Sequence, residues 1–440
     1  MQILYIFICV QLFCSIFFLC PAQSFDIYNE MIQLKDHNYI LTENNYHTNV
    51  PKSVKIEHSA NELLDPIIKL YSSEKLTVSF DILNSEESSY AYTFIHCNSD
   101  WQHSNIFQSE YLDGFSNNYI NNYKYSFNTS ITYCHYEFSF PNENVNFTKS
   151  GNYIVLIYDI ENNRPIASKR FLIYEDLINV SLNIKKATLA KDRDEKQEID
   201  FTITKPSNFT IQDPYNELKV IIQKNDDWNN LIKNCQPSFM NTNTIEYDQQ
   251  GELSFLGGSE YRDFDIKSLR YLGKNIKTIE QKNTQGENIY YVELYPEKIY
   301  NHDEYIFKYD LNGKYVISTL ENRDKNTESE YALVRFTLYK KQTTKEGIYI
   351  YGELTNWDTI PEAKMIYNSK KEHYYGFLYL KQGYYNYQYV SKDTKQQISF
   401  IDKNHHETRN QYSVYVYHKP IWQNYDRLIG LGKNTSNALN

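Results

Sequence analysis

Apolar and polar residues alternate with a period of two along most of this chain. In KLTVSFDIL, Leu76, Val78, Phe80 and Ile82 fall on one side and Thr77, Ser79 and Asp81 on the other, the pattern of a strand with one face in a core and one in water. SYAYTFIHC, TYCHYEFSF and GNYIVLIYDI follow at hairpin-like spacings, and the last, apolar on both faces, reads as a central strand. KRFLIYE closes this set near residue 175.

The charged stretch KDRDEKQE, residues 191–198, reads as a solvated turn, and EIDFTIT and LKVIIQKN behind it open a second set of strands. In YIFKYDLNGKYVI, Asn312-Gly313 sits between two aromatic runs and predicts a hairpin, because that pair tolerates positive φ. YALVRFTLY is expected to complete the second unit, and KKQTTKEG at 340–347 reads as a linker. GIYIYGELTNW, HYYGFLYLKQGYYNYQYV with a turn at Gln382-Gly383, and QYSVYVYH then make a short third unit. No segment carries a sustained helical period, so the predicted fold is all-β: three β-sandwich units in series over 25–176, 177–340 and 345–418, with a frayed tail over 419–440.

Length and composition agree with several aromatic-filled cores, since 440 residues exceed one ordinary domain and include 43 tyrosines and 23 phenylalanines. A net charge of −10 without a basic run argues against a nucleic-acid partner. The opening MQILYIFICVQLFCSIFFLCPAQS reads as a secretory signal cleaved after Ser24, although no Lys or Arg precedes its apolar run. Phe17, Phe18 and Leu19 before Cys20 lack the small residues of a lipidation signal. No later apolar run is long enough for a membrane helix. Three of the six cysteines lie in this leader, leaving Cys97, Cys134 and Cys235, too few for a disulfide framework. Cys97 and Cys134 are either bridged or, the favoured reading, packed as thiols.

HCNSDWQHSNIFQSEYLDGF, residues 96–115, is the first dense group of chemistry-bearing side chains. A metal set of His96, Cys97, Asp100 and His103 lacks the tight paired spacing of zinc sites. A nucleophile reading of Cys97 with His135 has no orienting acid. Glu110, Asp113, Glu260, Asp263 and Asp265 offer glycosidase-like carboxylates, but acids are common in so acidic a chain. The plainer reading has Asp100 capping a turn, Trp101 covering the edge of a core, and Glu110 and Asp113 bonding backbone amides. No enzyme activity, metal or cofactor is therefore predicted. In the second group, GGSEYRDFDIKSLRY at 257–271, Arg262 and Arg270 are near enough to Glu260, Asp263 and Asp265 to rigidify a loop or to present donors to a partner. Trp357 of GIYIYGELTNW is either a stacking platform for a glycan or a packing residue of its own unit.

Taken together, IHCNSDW, EYLDGF, YKYSFNT, HYEFSFPNE, GGSEYRDFDIKSLRY and LKQGYYNYQYV resemble, in order, the plug protein of the type IX secretion system of Bacteroidetes, across about residues 76–417. The third unit also looks like an early-set, immunoglobulin-like module, and the fold expected for all three is immunoglobulin-like. The resemblance implies a periplasmic protein at the inner face of the outer membrane that docks on a large β-barrel translocon and closes it. It implies no reaction. On that reading partner contacts come from loops at one end of the sandwiches, with Trp101, Tyr111, Phe115, Glu260, Tyr261 and Arg262 as the expected contacts. The alternative is an envelope protein that binds glycans. An outer-membrane barrel fits poorly, because Glu137, Glu293, Lys308 and Arg335 lie within predicted strands.

Overall fold

A computed structural model describes residues 51–84, 88–162, 164–284, 287–341, 346–393 and 397–436. The expected leader, residues 1–24, lies outside them. The architecture is all-β, as the alternation predicts.

Residues 51–175 form two facing sheets. One is four-stranded, in the order Pro51–His58, Leu76–Leu83, Tyr133–Phe140, Tyr123–Tyr125. The other is five-stranded, in the order Ile67–Lys69, Arg164–Tyr174, Gly151–Asp159, Tyr90–Cys97, Asn118–Tyr119. The apolar side of KLTVSFDIL faces inward as expected, with Leu76, Val78, Phe80 and Ile82 fully buried. Rings fill the space between the sheets, Phe80 stacking on Tyr136 at 5.1 Å and Tyr92 on Phe138 at 4.0 Å, and such pairs add to plain area burial. GNYIVLIYDI is central, as its two apolar faces require. The hairpin-like spacings, however, join strands of opposite sheets: Leu76–Leu83 pairs with Tyr133–Phe140, and Tyr90–Cys97 with Gly151–Asp159.

The next unit pairs a sheet of Asn179–Lys186, Lys196–Thr204, Thr244–Tyr247, Phe239–Met240 and Ser254–Leu256 with one ordered Asp227–Lys233, Leu218–Lys224, Gln411–His418, Arg427–Thr435. Here the structure departs from a serial arrangement. QYSVYVYH, expected in the third unit, lies in register against LKVIIQK, with Leu218 opposite His418 and Lys224 opposite Tyr412. The expected frayed tail supplies the neighbouring strand, Arg427–Thr435. The physical reason is burial on both faces. Val220, Ile222, Val414 and Val416 fill the core of this unit, while Ile221, Tyr415 and Tyr417 pack outward on Ile95, Cys97, Trp101 and Leu172 of the first.

The remaining strands are inserted between Ser254–Leu256 and Gln411–His418. One sheet holds Ile276–Thr284, Glu287–Leu294, Tyr331–Tyr339, His373–Lys381 and Ile366–Asn368, and Gly383–Lys392 organises the other, flanked by Arg262–Asp265 and Tyr315–Ile317. YALVRFTLY therefore belongs here, pairing along its length with His373–Lys381, and does not close the second unit. KKQTTKEG joins two strands of this same insert, although residues 342–345 lie outside the described residues. Asn312 and Gly313 do take positive φ, 51° and 84°, and Lys314 N donates to Leu311 O at 3.2 Å. The predicted turn thus forms, but the hairpin does not. Asp310 accepts from Tyr261 N at 2.6 Å and from Asn312 N at 2.8 Å, which ties the preceding segment to another loop instead of to a strand.

Two buried charge groups fasten the units together. Asp81, expected on a wet face, is 1 % exposed because the insert covers it. It accepts from Lys381 Nζ at 2.6 Å and Tyr331 Oη at 2.7 Å, with His135 Nδ1 at 2.6 Å. Burial works to raise this carboxyl, but Lys381 and His135 hold it below its ordinary range. Asp65 is held down in the same way by Lys314 of the insert, at 2.5 Å, and Lys433 of the last strand, at 2.6 Å.

Candidate functional site

The stretch 96–115 leaves strand Tyr90–Cys97 and folds back along its open edge. His103 bridges to Cys97, Ser104 N donates to His96 O at 3.0 Å, and Tyr111 Oη donates to Phe94 O at 3.1 Å. An edge strand needs such cover, because its unpaired amides and carbonyls otherwise recruit other chains. His96 is fully buried between Ser104 Oγ at 2.7 Å and Ser150 O at 3.0 Å. Burial pushes its imidazole down to about 4, and pushes the Cys97 thiol up to about 12. At neutral pH both are uncharged packing groups. Among the described residues Cys97, Cys134 and Cys235 form no disulfide.

Five of the six expected contact residues are interior. Trp101 lies under the Arg170 guanidinium at 4.5 Å and meets Trp228 edge-on at 4.8 Å, so it joins the first unit to the second. Tyr111 is fully buried. Glu260 accepts from Tyr305 Oη and from Arg409 N, and burial, followed by the neighbouring Asp310, raises its carboxyl to about 7. Tyr261 packs edge-on to Trp357 at 6.3 Å. Arg262 is fully buried, ion-paired with Asp402 and Glu297, and donates to Lys298 O at 2.9 Å. The rings of Tyr300 and Tyr389 flank its guanidinium at 4.0 and 5.0 Å. These five are corrected from partner contacts to packing residues. The buried charges of the second motif, Arg262 and Asp263, find their partners within the chain, Arg262 with Asp402 and Glu297 and Asp263 with Lys274 and Lys308. Only Phe115, 65 % exposed, faces solvent. Trp357 is also buried, so it is no stacking platform.

Apolar side chains reach solvent in several places, on the insert at Tyr271, Ile306, Tyr309 and Leu320 and also in loops of the first unit. Tyr71, Phe107 and Phe115 are exposed in those loops, and Ile421 and Trp422 in the connection between Gln411–His418 and Arg427–Thr435. No sequence periodicity singles out Ile421 and Trp422. Their only signal is an apolar dipeptide within the polar run KPIWQNYDR.

Glu198, Asp200 and Asp248 bring carboxylate oxygens within 4.8 Å of one another, and Lys185 Nζ already sits between two of them, 2.5 Å from Asp200 and 3.3 Å from Glu198. Glu198 is fully buried and also accepts from Thr188 N at 3.1 Å and Thr188 Oγ1 at 2.8 Å, so this group is a hydrogen-bonded network in which one lysine faces three carboxylates. No helix among the described residues is long and apolar enough to cross a membrane.

The described residues thus form a many-sheeted β protein with buried ion pairs at its joints. The family described as the first domain of the type 9 secretion system plug protein matches residues 51–175, and the chain belongs to this plug family. A hypothetical protein from Parabacteroides merdae, solved by crystallography, is 30% identical over 90% of this chain and 100% of its own length, with a TM-score of 0.84. The C-terminal domain of the antigen I/II-family protein AspA of Streptococcus pyogenes is 9% identical over 89% of this chain and 100% of its own, and its TM-score of 0.19 supports no argument. No curated protein matches the chain. It is thus a plug-family component associated with the type 9 secretion machinery of the cell envelope.

Proposed function

We propose that this chain binds the inner, periplasmic mouth of the outer-membrane translocon barrel and closes it when no cargo is passing, without catalysing a reaction. The observation that carries the reading is the family match over residues 51–175. A stopper for a wide pore needs a body that keeps its shape under load. Buried ion pairs at Asp65 and Asp81 supply this by tying the first unit to the insert and to the last strand. Export by the segment 1–24 belongs to the same proposal. The glycan-binding alternative loses its platform, since Trp357 is covered by Tyr261, Tyr351 and Gly313. The test is conductance: the purified barrel in a planar bilayer is expected to lose its current when the full chain is added on the periplasmic side. A current unchanged at micromolar protein would sink the proposal.

A further inference from the structure

The insert leaves the second unit through residues 257–261 and returns to it through 402–410, and the two crossings are bonded to each other. His405 N donates to Gly258 O at 2.9 Å, Thr408 Oγ1 to the same oxygen at 2.8 Å, and Asn410 Nδ2 to Gly257 O at 2.9 Å. Glu260 is buried at this joint. Its Oε1 accepts from Arg409 N of the returning crossing at 3.0 Å and from Tyr305 Oη of the insert. Its Oε2 is shut off from water and has no donor among the described residues.

What the Glu260 carboxyl meets is a second carboxyl, that of Asp310, in a side-chain hydrogen bond. Asp310 already accepts from Tyr261 N at 2.6 Å on Oδ2 and from Asn312 N at 2.8 Å on Oδ1. An ionised carboxylate only accepts, so the two groups bond each other only while one of them keeps a proton. The charges that face the pair do not neutralise it. Lys224, from strand Leu218–Lys224, donates to Leu256 O at 2.6 Å and Gly257 O at 2.7 Å, and burial lowers it to about 7. Lys308 Nζ lies 2.5 Å from Asp263. His405, whose ring is 6.0 Å from that of Tyr305, is lowered by burial. Asp227 beside Tyr261 and Glu407 beside Tyr305 add negative charge.

We propose that Glu260 and Asp310 form a proton-operated clasp, which locks the two crossings of the insert together while it shares one proton and loosens the insert on the second sandwich when that proton leaves. Loss of the proton puts two negative charges in contact inside the joint, which disfavours the closed form. Burial, followed by Asp310, raises Glu260 to about 7 against an ordinary 4.5. The closed joint therefore keeps a proton that an opened, solvated Glu260 gives up. Closure is firmest below pH 4.5 and weakens as the pH rises to about 7, the opening equilibrium shifting by up to roughly 300-fold across that range. The clasp stands apart from the plug reading, since it rests on contacts within the chain alone.

The test is amide hydrogen exchange of the full chain, read as protection factors over residues 257–262, 305–312 and 405–410. Between about pH 5 and pH 7.5 the parent is expected to lose at least about tenfold in protection there. Glu260→Gln keeps an oxygen for Tyr305 Oη and Arg409 N and turns an amide N–H towards Asp310, a fixed copy of the protonated pair. Its protection at the higher pH should match that of the parent at the lower. Asp310→Asn supplies the N–H from the other side, at the loss of one acceptor, so it should be less protected throughout but equally insensitive to pH. Should one variant fail to fold, the other decides, since each replaces one carboxyl of the pair. A smaller fall in the parent would overturn the clasp. So would a fall of the parent's size in either variant, which would assign the response to Asp226, Asp227 or Lys224.

Discussion

Replacing Arg262 by Met tests whether this arginine holds the fold or serves a partner. Its guanidinium is fully buried, and the carboxylates of Asp402 and Glu297 beside it are 6% and 16% exposed. Methionine keeps much of the volume but strands two buried acids with no cation between them. Breaking a buried pair from one side costs about 3–5 kcal/mol, and the lost contacts with Tyr300 and Tyr389 add on the order of 1 kcal/mol. Urea unfolding at pH 7, read beside hydrogen exchange over Arg262–Asp265 and Gly383–Lys392, is expected to show a loss of about 4 kcal/mol centred on the insert. The deficit should shrink on acidification. Burial already raises the Glu297 carboxyl, against the pull of Arg262, and without the arginine Glu297 takes up a proton more readily and sheds its charge. Arg262→Lys should recover part of the loss, since it keeps the charge without the planar fork. A loss under about 1 kcal/mol at pH 7, or one that grows as pH falls, would refute the reasoning.

Three further outcomes are expected. His96 is held near 4 against an ordinary 6.5, so the folded chain refuses a proton that the unfolded chain accepts. Its contribution is complete above pH 6.5 and is lost as pH falls towards 4, by about 3 kcal/mol in all. Asp226, Asp227 and Glu260 are raised by burial and work in the opposite direction, so the measurement is the difference in pH slope between the parent and His96→Gln, and parallel curves would remove the claim. Gly313→Ala places a Cβ 2.3 Å from the Trp357 ring at a φ of 84°, and should cost about 2–4 kcal/mol in denaturant unfolding; a neutral result would mean that the ring moves freely. Deleting residues 411–440 should leave 177–258 open to protease while 51–175 survives as a resistant fragment, and equal digestion of both would contradict the pairing described above.

Strand existence was legible because alternation reports a half-buried pleat directly: Leu76, Val78, Phe80 and Ile82 are where the pattern puts them. Pairing was not legible. Spacing along the chain cannot tell a hairpin from a strand that crosses to the facing sheet, which is how Leu76–Leu83 and Tyr90–Cys97 come to lie apart. QYSVYVYH carried a usable sign, since its Tyr and Val positions leave no wet side, the mark of a strand covered on both faces. The site was less visible still. Arg262 and Glu260 look like contact residues until their partners are known, and those partners, Asp402 and Arg409, lie 140 and 149 positions away. Ile421 and Trp422 belong to no period, and only solvent exposure singles them out.

The closing of the second sandwich by the chain's last strands sets an order of assembly. Gln223 meets Tyr415 across 192 positions, so a ribosome that has delivered Leu218–Lys224 must still make the whole insert before the partner strand exists. Until then, the sheet destined to hold Val220 and Ile222 has an open side, and long-range closure of this kind is slow and exposed to misassembly. The first sandwich, complete by residue 175, needs no such wait. A chain halted short of residue 411 would therefore carry a finished head on an unfinished body, and a chaperone that shields the interval between the two would act on residues 177–258.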